Sequence, residues 1–139
     1  GRGTDCAAAM EGALKLREIS YIPCHAYAAG ELKHGTISLI ENGTAVVALM
    51  GNRRLFSKTL SNVKEVKSRG ARVIALCTRE DYEKNSDFCD CFIPVCESDS
   101  LLSLVYEGII LQLFAYYTAK KRGCDIDKPR NLAKSVTVE

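Results

Sequence analysis

Two short apolar runs, TAVVALM at 44–50 and ARVIALC at 71–77, constrain the fold of this chain more than any other feature. Both are rich in β-branched or aliphatic residues and are set off by glycines, Gly43 and Gly51 around the first and Gly70 before the second. Neither shows the polar alternation of a strand with one wet face, so both read as buried strands. Between them, LFSKTLSNVKEVKSRG (55–70) sets Leu60, Val63 and Val66 on one face of an amphipathic helix that stops at Gly70. Its basic residues gather near the C-terminal end, where the helix dipole favours them. Continuous apolar strands alternating with helices indicate an α/β layer with a parallel sheet. CFIPV (91–95) adds a third, short strand, and its proline points to an edge or a strand end.

The remaining segments fit around that unit. Residues 4–22 read as a helix with Thr4 or Asp5 as N-cap and Pro23 as its stop. AYAAGELKHG is a short helical or irregular stretch closed by Gly35. The longest apolar segment runs from Leu101 to Ala119. Glu107, Gly108 and Gln112 interrupt it and no positive flank precedes it, so it reads as a buried core helix rather than a membrane span. Lys120, Lys121 and Arg122 suit its C-terminus, and Gly123 suits the position just beyond. The final CDIDKPRNLAKSVTVE has no clear period and is expected to be an extended tail on the surface or on a partner. One domain over 1–122 with a tail over 123–139 is the expected organisation. The strand that should precede Gly1 is missing or truncated.

Composition narrows the function classes. The 139 residues carry a net charge of +2, with no basic run or aromatic-basic interleaving to hold nucleic acid. The start, Gly1-Arg2-Gly3, has no methionine and no signal-like apolar segment, as expected of a piece of something longer. Seven cysteines are present, an odd number, without a CxxC pair. Cys89-Asp90-Cys91 is the nearest thing to a pairing motif and both histidines lie far from it, which argues against a zinc site. Reduced thiols in a cytoplasmic protein are the expectation. No cofactor fingerprint appears, and the opening GRG is a weak candidate for a phosphate cradle.

EGALKLREISY (11–21) is the segment with most chemical promise. On a helix, Glu11, Lys15 and Glu18 fall on one stripe amid small and aliphatic residues. The plain reading is an exposed i,i+4 Glu–Lys pair with a neighbour, stabilising by a few tenths of a kcal/mol. The functional reading is a carboxylate beside a lysine in a partly dry cleft, suited to proton abstraction next to a carbonyl. His34 in ELKHG is either a loop histidine or a general acid/base near neutral pH. His25 reads as structural or exposed. Lys134 in NLAKSV is either a solvated tail lysine or a Schiff-base lysine. The latter needs a free pKa of about 10.4 to fall through desolvation or a cationic neighbour, and Lys128 and Arg130 are near in sequence.

EGALKLREISY, AGELKHG (29–35) and DKPRNLAKSVTVE (127–139) together closely resemble the C-terminal end of the glutamine–fructose-6-phosphate aminotransferase family, the isomerising amidotransferases. The likeness runs over essentially the whole chain. It is most specific at 11–22, 28–35 and 123–139, and looser between 42 and 100. It implies a three-layer sugar isomerase (SIS) fold, with residues 1–122 as the second SIS domain of a longer enzyme and 123–139 as its tail. In such enzymes a glutaminase domain and a first SIS domain precede this one, and fructose-6-phosphate becomes glucosamine-6-phosphate. The resemblance implies that Glu18 shifts a proton between carbons 1 and 2 with Lys15 beside it. It implies that His34 assists ring opening from the neighbouring subunit of a homodimer, and that Lys134 forms a Schiff base with the keto sugar. Glu11 is a further candidate for substrate binding.

Departures and omissions follow from the same comparison. Arg17 stands where the family commonly has lysine, Thr36 where proline is common, and Pro23-Cys24-His25 replaces a stretch that usually reads histidine, small residue, glutamate. The serine- and threonine-rich phosphate loop and the cysteine nucleophile belong to domains this chain does not contain. A non-catalytic sugar-phosphate-binding module, or a related isomerase or deglycase, is the alternative. Neither has need of a terminal PRNLAKSVTVE.

Overall fold

At the centre of the fold lies β2 (Arg72–Cys77), whose Val73, Ala75, Leu76 and Cys77 are at most 1% exposed. The computed structural model describes residues 1–85, 87–96 and 100–130. Their elements are α1 (Thr4–Ser20), β1 (Ala45–Leu49), α2 (Phe56–Ser68), β2, α3 (Arg79–Lys84), β3 (Cys91–Pro94) and α4 (Ser100–Lys121). Short 3-10 turns cover Ala29–His34, Thr36–Leu39 and Arg53–Leu55. The strands lie in the order β1-β2-β3 and are all parallel, with Val47 opposite Ile74 and Leu76 opposite Ile93. This is the α/β layer expected from the two apolar runs.

Side chains of β2 point alternately to two cores. Val73, Ala75 and Cys77 join Ala48, Met50, Phe56, Leu60, Val63, Val66 and Phe88 on the α2 face. Leu76 joins Leu49, Val95, Ala8 and Leu111 on the face covered by α1 and α4. Helix, sheet and helix thus form three layers, and the apolar face expected of α2 is the one buried. Of the two runs expected to be buried, β2 is covered along most of its length, with Arg72 exposed and Ile74 half-buried. β1 is covered only in its C-terminal half, because it is an edge of the sheet among the described residues. β3 is the other edge and ends at Pro94, where a missing N–H costs no ladder bond.

Three expectations need correction. The N-cap of α1 is Gly3, with φ 57° and no side-chain cap, not Thr4 or Asp5. Those two turn instead toward the loop after β1: Asn52 N donates to Asp5 Oδ2 at 3.1 Å, and Asn52 Nδ2 to Thr4 Oγ1 at 3.4 Å. A six-residue helix, α3, was not expected. Its start is set by Thr78, whose Oγ1 accepts from Asp81 N at 3.1 Å and donates to Asp81 Oδ2 at 2.7 Å.

The third correction concerns α4, which is not a fully buried core helix. Ser103, Glu107, Leu111, Ala115 and Ala119 form one buried stripe at four-residue spacing, against α1 and the sheet. On other faces Leu101, Leu102, Val105, Ile109, Leu113 and Tyr117 are each 50–70% exposed. By length and composition Leu101–Lys121 is apolar enough to cross a membrane. Its buried stripe makes it one half of a helical layer instead.

α1 lies close against Leu111 of α4 at Gly12. A Cβ added there would lie 2.6 Å from Leu111 Cδ1 and 3.0 Å from Leu111 Cβ. Gly108, in the same helix as Leu111, has open space in that direction. Gly12→Ala is therefore expected to destabilise the fold by about 1–3 kcal/mol through overpacking. Gly108→Ala should stabilise it by up to about 1 kcal/mol through helix propensity. Chemical unfolding of the two variants checks the contrast.

Candidate functional site

α1 presents its polar stripe on a face beside the one packed on α4. Lys15 Nζ stands 3.4 Å from Glu11 Oε1 and 3.3 Å from Glu18 Oε2. The hydrogen bonds from Glu18 first, and from Glu11 next, raise the Lys15 ammonium above its usual range. The three side chains are 47%, 35% and 28% exposed in chain order, so Glu18 is the most sheltered. The structure therefore brings all three together, with one ammonium between two carboxylates.

Glu18 also lines an open hollow of about 420 Å³ with Arg17, Tyr21, Ile22, Pro23 and Arg130. The end of α1 shapes this hollow. Tyr21 closes the helix in a left-handed conformation, φ 59° and ψ 24°, its N–H donating to Arg17 O. After Pro23 the chain is tied back to the helix, with Cys24 Sγ on Ala13 O at 3.3 Å and Arg17 Nη1 on Cys24 O at 3.5 Å. The unusual Pro23-Cys24-His25 thus forms a fastened turn, with His25 exposed beside the Tyr27 ring. A carboxylate paired with a lysine at the rim of a concave surface is placed to accept a proton from a bound molecule.

His34 lies elsewhere. It ends the first 3-10 turn, is 76% exposed, and has Glu31 Oε2 4.0 Å from its Nε2. Its neighbour Lys33 pairs with Glu65 of α2 at 3.5 Å. Among the described residues no hydrogen bond or ion pair joins His34 to the α1 stripe. Lys134 lies outside the described residues. The tail leading to it reaches the hollow: Asp125 Oδ1 accepts from the N–H groups of Asp127 and Lys128, and Arg130 N donates to Tyr21 Oη at 2.9 Å.

Two carboxylates that the sequence offers only as a helix cap and as a break in an apolar run are fully buried. Asp5 and Glu107 are both 0% exposed. Glu107 Oε1 accepts from Gly51 N at 3.0 Å, while Oε2 has no hydrogen-bond partner among the described residues. A Cβ on Gly51 would stand 2.7 Å from Glu107 Oε1, so only glycine permits this approach. Burial, and next the Asp5 charge, push the Glu107 carboxyl up to about 8. Burial also raises Asp5, against the pull of the Asn52 N–H. Together they clamp the loop that follows β1 at the carboxyl end of the sheet. The available signal was position: Glu107 sits on the i,i+4 stripe of Ser103, Leu111 and Ala115.

Among the described residues no group of His, Cys, Asp and Glu is placed to hold a metal ion. All seven cysteines are free, and burial lifts the Cys77 thiol to about 12.

The sequence matches the SIS domain family over residues 1–120. It is 55% identical over all of its 139 residues to the glutamine–fructose-6-phosphate aminotransferase (isomerizing) of Clostridium acetobutylicum, of which it spans 23%. Its structure is similar to the C-terminal domain of glucosamine-fructose-6-phosphate aminotransferase from Francisella tularensis. There the TM-score is 0.86 and the identity 40%, over 93% of this chain and 36% of that one. A glucosamine-6-phosphate deaminase from Thermotoga maritima aligns with a TM-score of 0.69 at 29% identity, over 93% of this chain and 36% of that one.

Glu107 makes stability depend on pH. In the unfolded chain its carboxyl titrates near the ordinary 4.5, and in the folded chain near 8. Between those values the folded state holds the extra proton, so stability is full below about 4.5 and falls as pH rises through about 8. Between pH 6 and 9 the chain should lose on the order of 2 kcal/mol that Glu107→Gln, with its amide still able to accept from Gly51, does not lose. Thermal unfolding across that range measures the difference.

Proposed function

The chain belongs to the SIS domain family, and on that premise we propose that it is the C-terminal isomerase domain of a glutamine–fructose-6-phosphate aminotransferase. Residues 1–122 form its second SIS domain and 123–139 its catalytic tail. The observation that carries this reading is the placement of Glu18. It pairs with Lys15 at 3.3 Å and lines the same hollow as Arg130 of the arriving tail. Two segments from opposite ends of the chain meet there, and both belong to the segments by which the chain resembles these enzymes.

In this reading the substrate is the open-chain form of fructose-6-phosphate. Lys134 attacks the C2 carbonyl of the opened sugar to form a Schiff base, releasing water. Ammonia released from glutamine by the glutaminase domain adds to C2 of that Schiff base and expels the Lys134 amine, which leaves the free C2 imine of the sugar. Glu18 then removes a proton from C1 and returns one to C2, giving glucosamine-6-phosphate. Lys15, 3.3 Å from Glu18, keeps its carboxylate aimed. Glu11, on the far side of Lys15, shares that ammonium and stands as a weaker candidate for a sugar contact. His34 serves the site of the neighbouring subunit in a cytoplasmic homodimer. Its 76% exposure, and the absence among the described residues of any hydrogen bond or ion pair to the α1 stripe, support a role outside its own protomer.

A complete site needs a sugar-phosphate loop and an ammonia source from the preceding domains. The chain spans about a quarter of the length of its curated relatives, which supports that division of labour. The isolated chain is accordingly expected to make no glucosamine-6-phosphate from fructose-6-phosphate and ammonia. Product formation by the purified chain would refute this.

In the full-length enzyme, Glu18→Gln and Lys134→Ala should each lower amino-sugar synthesis by on the order of 10²–10⁴-fold without unfolding the protein. Near-normal synthesis by either variant rejects the role given to that residue. Borohydride reduction in the presence of fructose-6-phosphate should fix the sugar on Lys134, as peptide mapping would read. Label on another lysine rejects the Schiff-base assignment.

A further inference from the structure

Tyr21 is an unexpected residue for its position. At a left-handed helix C-cap, glycine or asparagine avoids the clash that a Cβ meets. Tyr21 and Asp87 are the non-glycine residues with positive φ among those described. A strained aromatic must be held there by what its side chain does. The side chain contacts Arg130 twice. Tyr21 Oη accepts the Arg130 N–H at 2.9 Å, and the Arg130 guanidinium lies over the Tyr21 ring, 4.0 Å from its centroid. One contact holds backbone and the other side chain, so they fix both the path and the rotation of the tail at that residue. Behind this point the tail is guided as well, by the turn at Asp125 and by Cys124 Sγ on Ser20 O at 3.9 Å.

Tyr21 is also three residues beyond Glu18, and both line one hollow with Arg130. In the sequence Lys134 follows Arg130 by four residues. We propose that Tyr21 is a positioning residue: its phenol and ring dock the C-terminal tail at Arg130 beside Glu18, and the reaction assigned to Lys134 depends on that dock. This rests on the reading of Lys134 as the Schiff-base lysine. It goes beyond that reading by naming what docks the tail at Arg130, and why a tyrosine occupies a position that would fold more easily with glycine.

The test uses the full-length enzyme with three substitutions: Tyr21→Phe, which keeps the ring and loses the acceptor, Tyr21→Gly, which loses both contacts and relieves the backbone, and Arg130→Met, which keeps the N–H and loses the guanidinium. Hydrogen exchange at the Arg130 amide reads the anchor directly and is expected to quicken in Tyr21→Phe and further in Tyr21→Gly. The rate of borohydride labelling of Lys134 by fructose-6-phosphate reads the consequence. It is expected to fall at least about tenfold in Tyr21→Gly and by a smaller factor in Tyr21→Phe and Arg130→Met, with Tm unchanged or raised in Tyr21→Gly. Unchanged exchange at Arg130 in both Tyr21 variants overturns the proposal, as does faster exchange with labelling equal to the parent enzyme. A drop in Tyr21→Gly labelling that tracks a fall in Tm and is absent in Arg130→Met overturns it too, because the role is then only structural. If the parent enzyme itself labels elsewhere than Lys134, the Schiff-base reading fails while the exchange data still decide whether Tyr21 holds the tail.

Discussion

The approach of α1 to α4 at Gly12 governs the rest of the molecule. α1 has to meet two demands on neighbouring faces. Ala8 and Gly12 are buried toward α4 and the sheet, while Glu11, Lys15 and Glu18 stand outward. With 3.6 residues per turn, positions 11 and 12 are about 100° apart, so the rotation that buries one decides where the other points. A helix is stiff, and Glu18 lies about 9 Å along the axis from Gly12. Bulk at the contact would therefore shift the carboxylate relative to α4 and the sheet. Leu111, lodged against Gly12, belongs as much to the placing of Glu18 as Lys15 does.

The sheet fixes the second reference point. Its carboxyl end is where ligands gather in open parallel α/β folds. Here the loop after β1 is held from below by two buried acids, through the Gly51 and Asn52 N–H groups. A neutral carboxyl at Glu107 can accept such a bond without bringing an ionised group into the core, which is why its raised affinity for a proton fits its place. The arrangement is rigid where the chain turns and open where the α1 stripe faces out.

What the sequence revealed divides along physical lines. β2 and α2 were legible because burial on both faces, or on one helical stripe, leaves a period that neighbouring residues cannot disguise. The stripe of Glu11, Lys15 and Glu18 was legible as a geometry for the same reason. The N-cap was not, since Thr4 and Asp5 are good cap residues whose side chains were claimed by a loop nearly fifty positions away. α3 escaped because six residues carry too few turns for a period. The state of α4 escaped because an apolar helix looks the same whether one face or every face is covered. Where His34 and the tail stand relative to Glu18 depends on tertiary placement, which no local pattern encodes.

The outer face of α4 carries a consequence for how this unit behaves. Leu101, Leu102, Val105, Ile109, Leu113 and Tyr117 stay in contact with water when folding is finished. The transfer free energy of that surface is not spent in forming the domain, and it is available to whatever comes to cover it. Thermal resistance and colloidal behaviour thus become separate properties: a folded population at high concentration is drawn to clump along this ridge, and a single charged replacement at its middle would change solubility far more than melting.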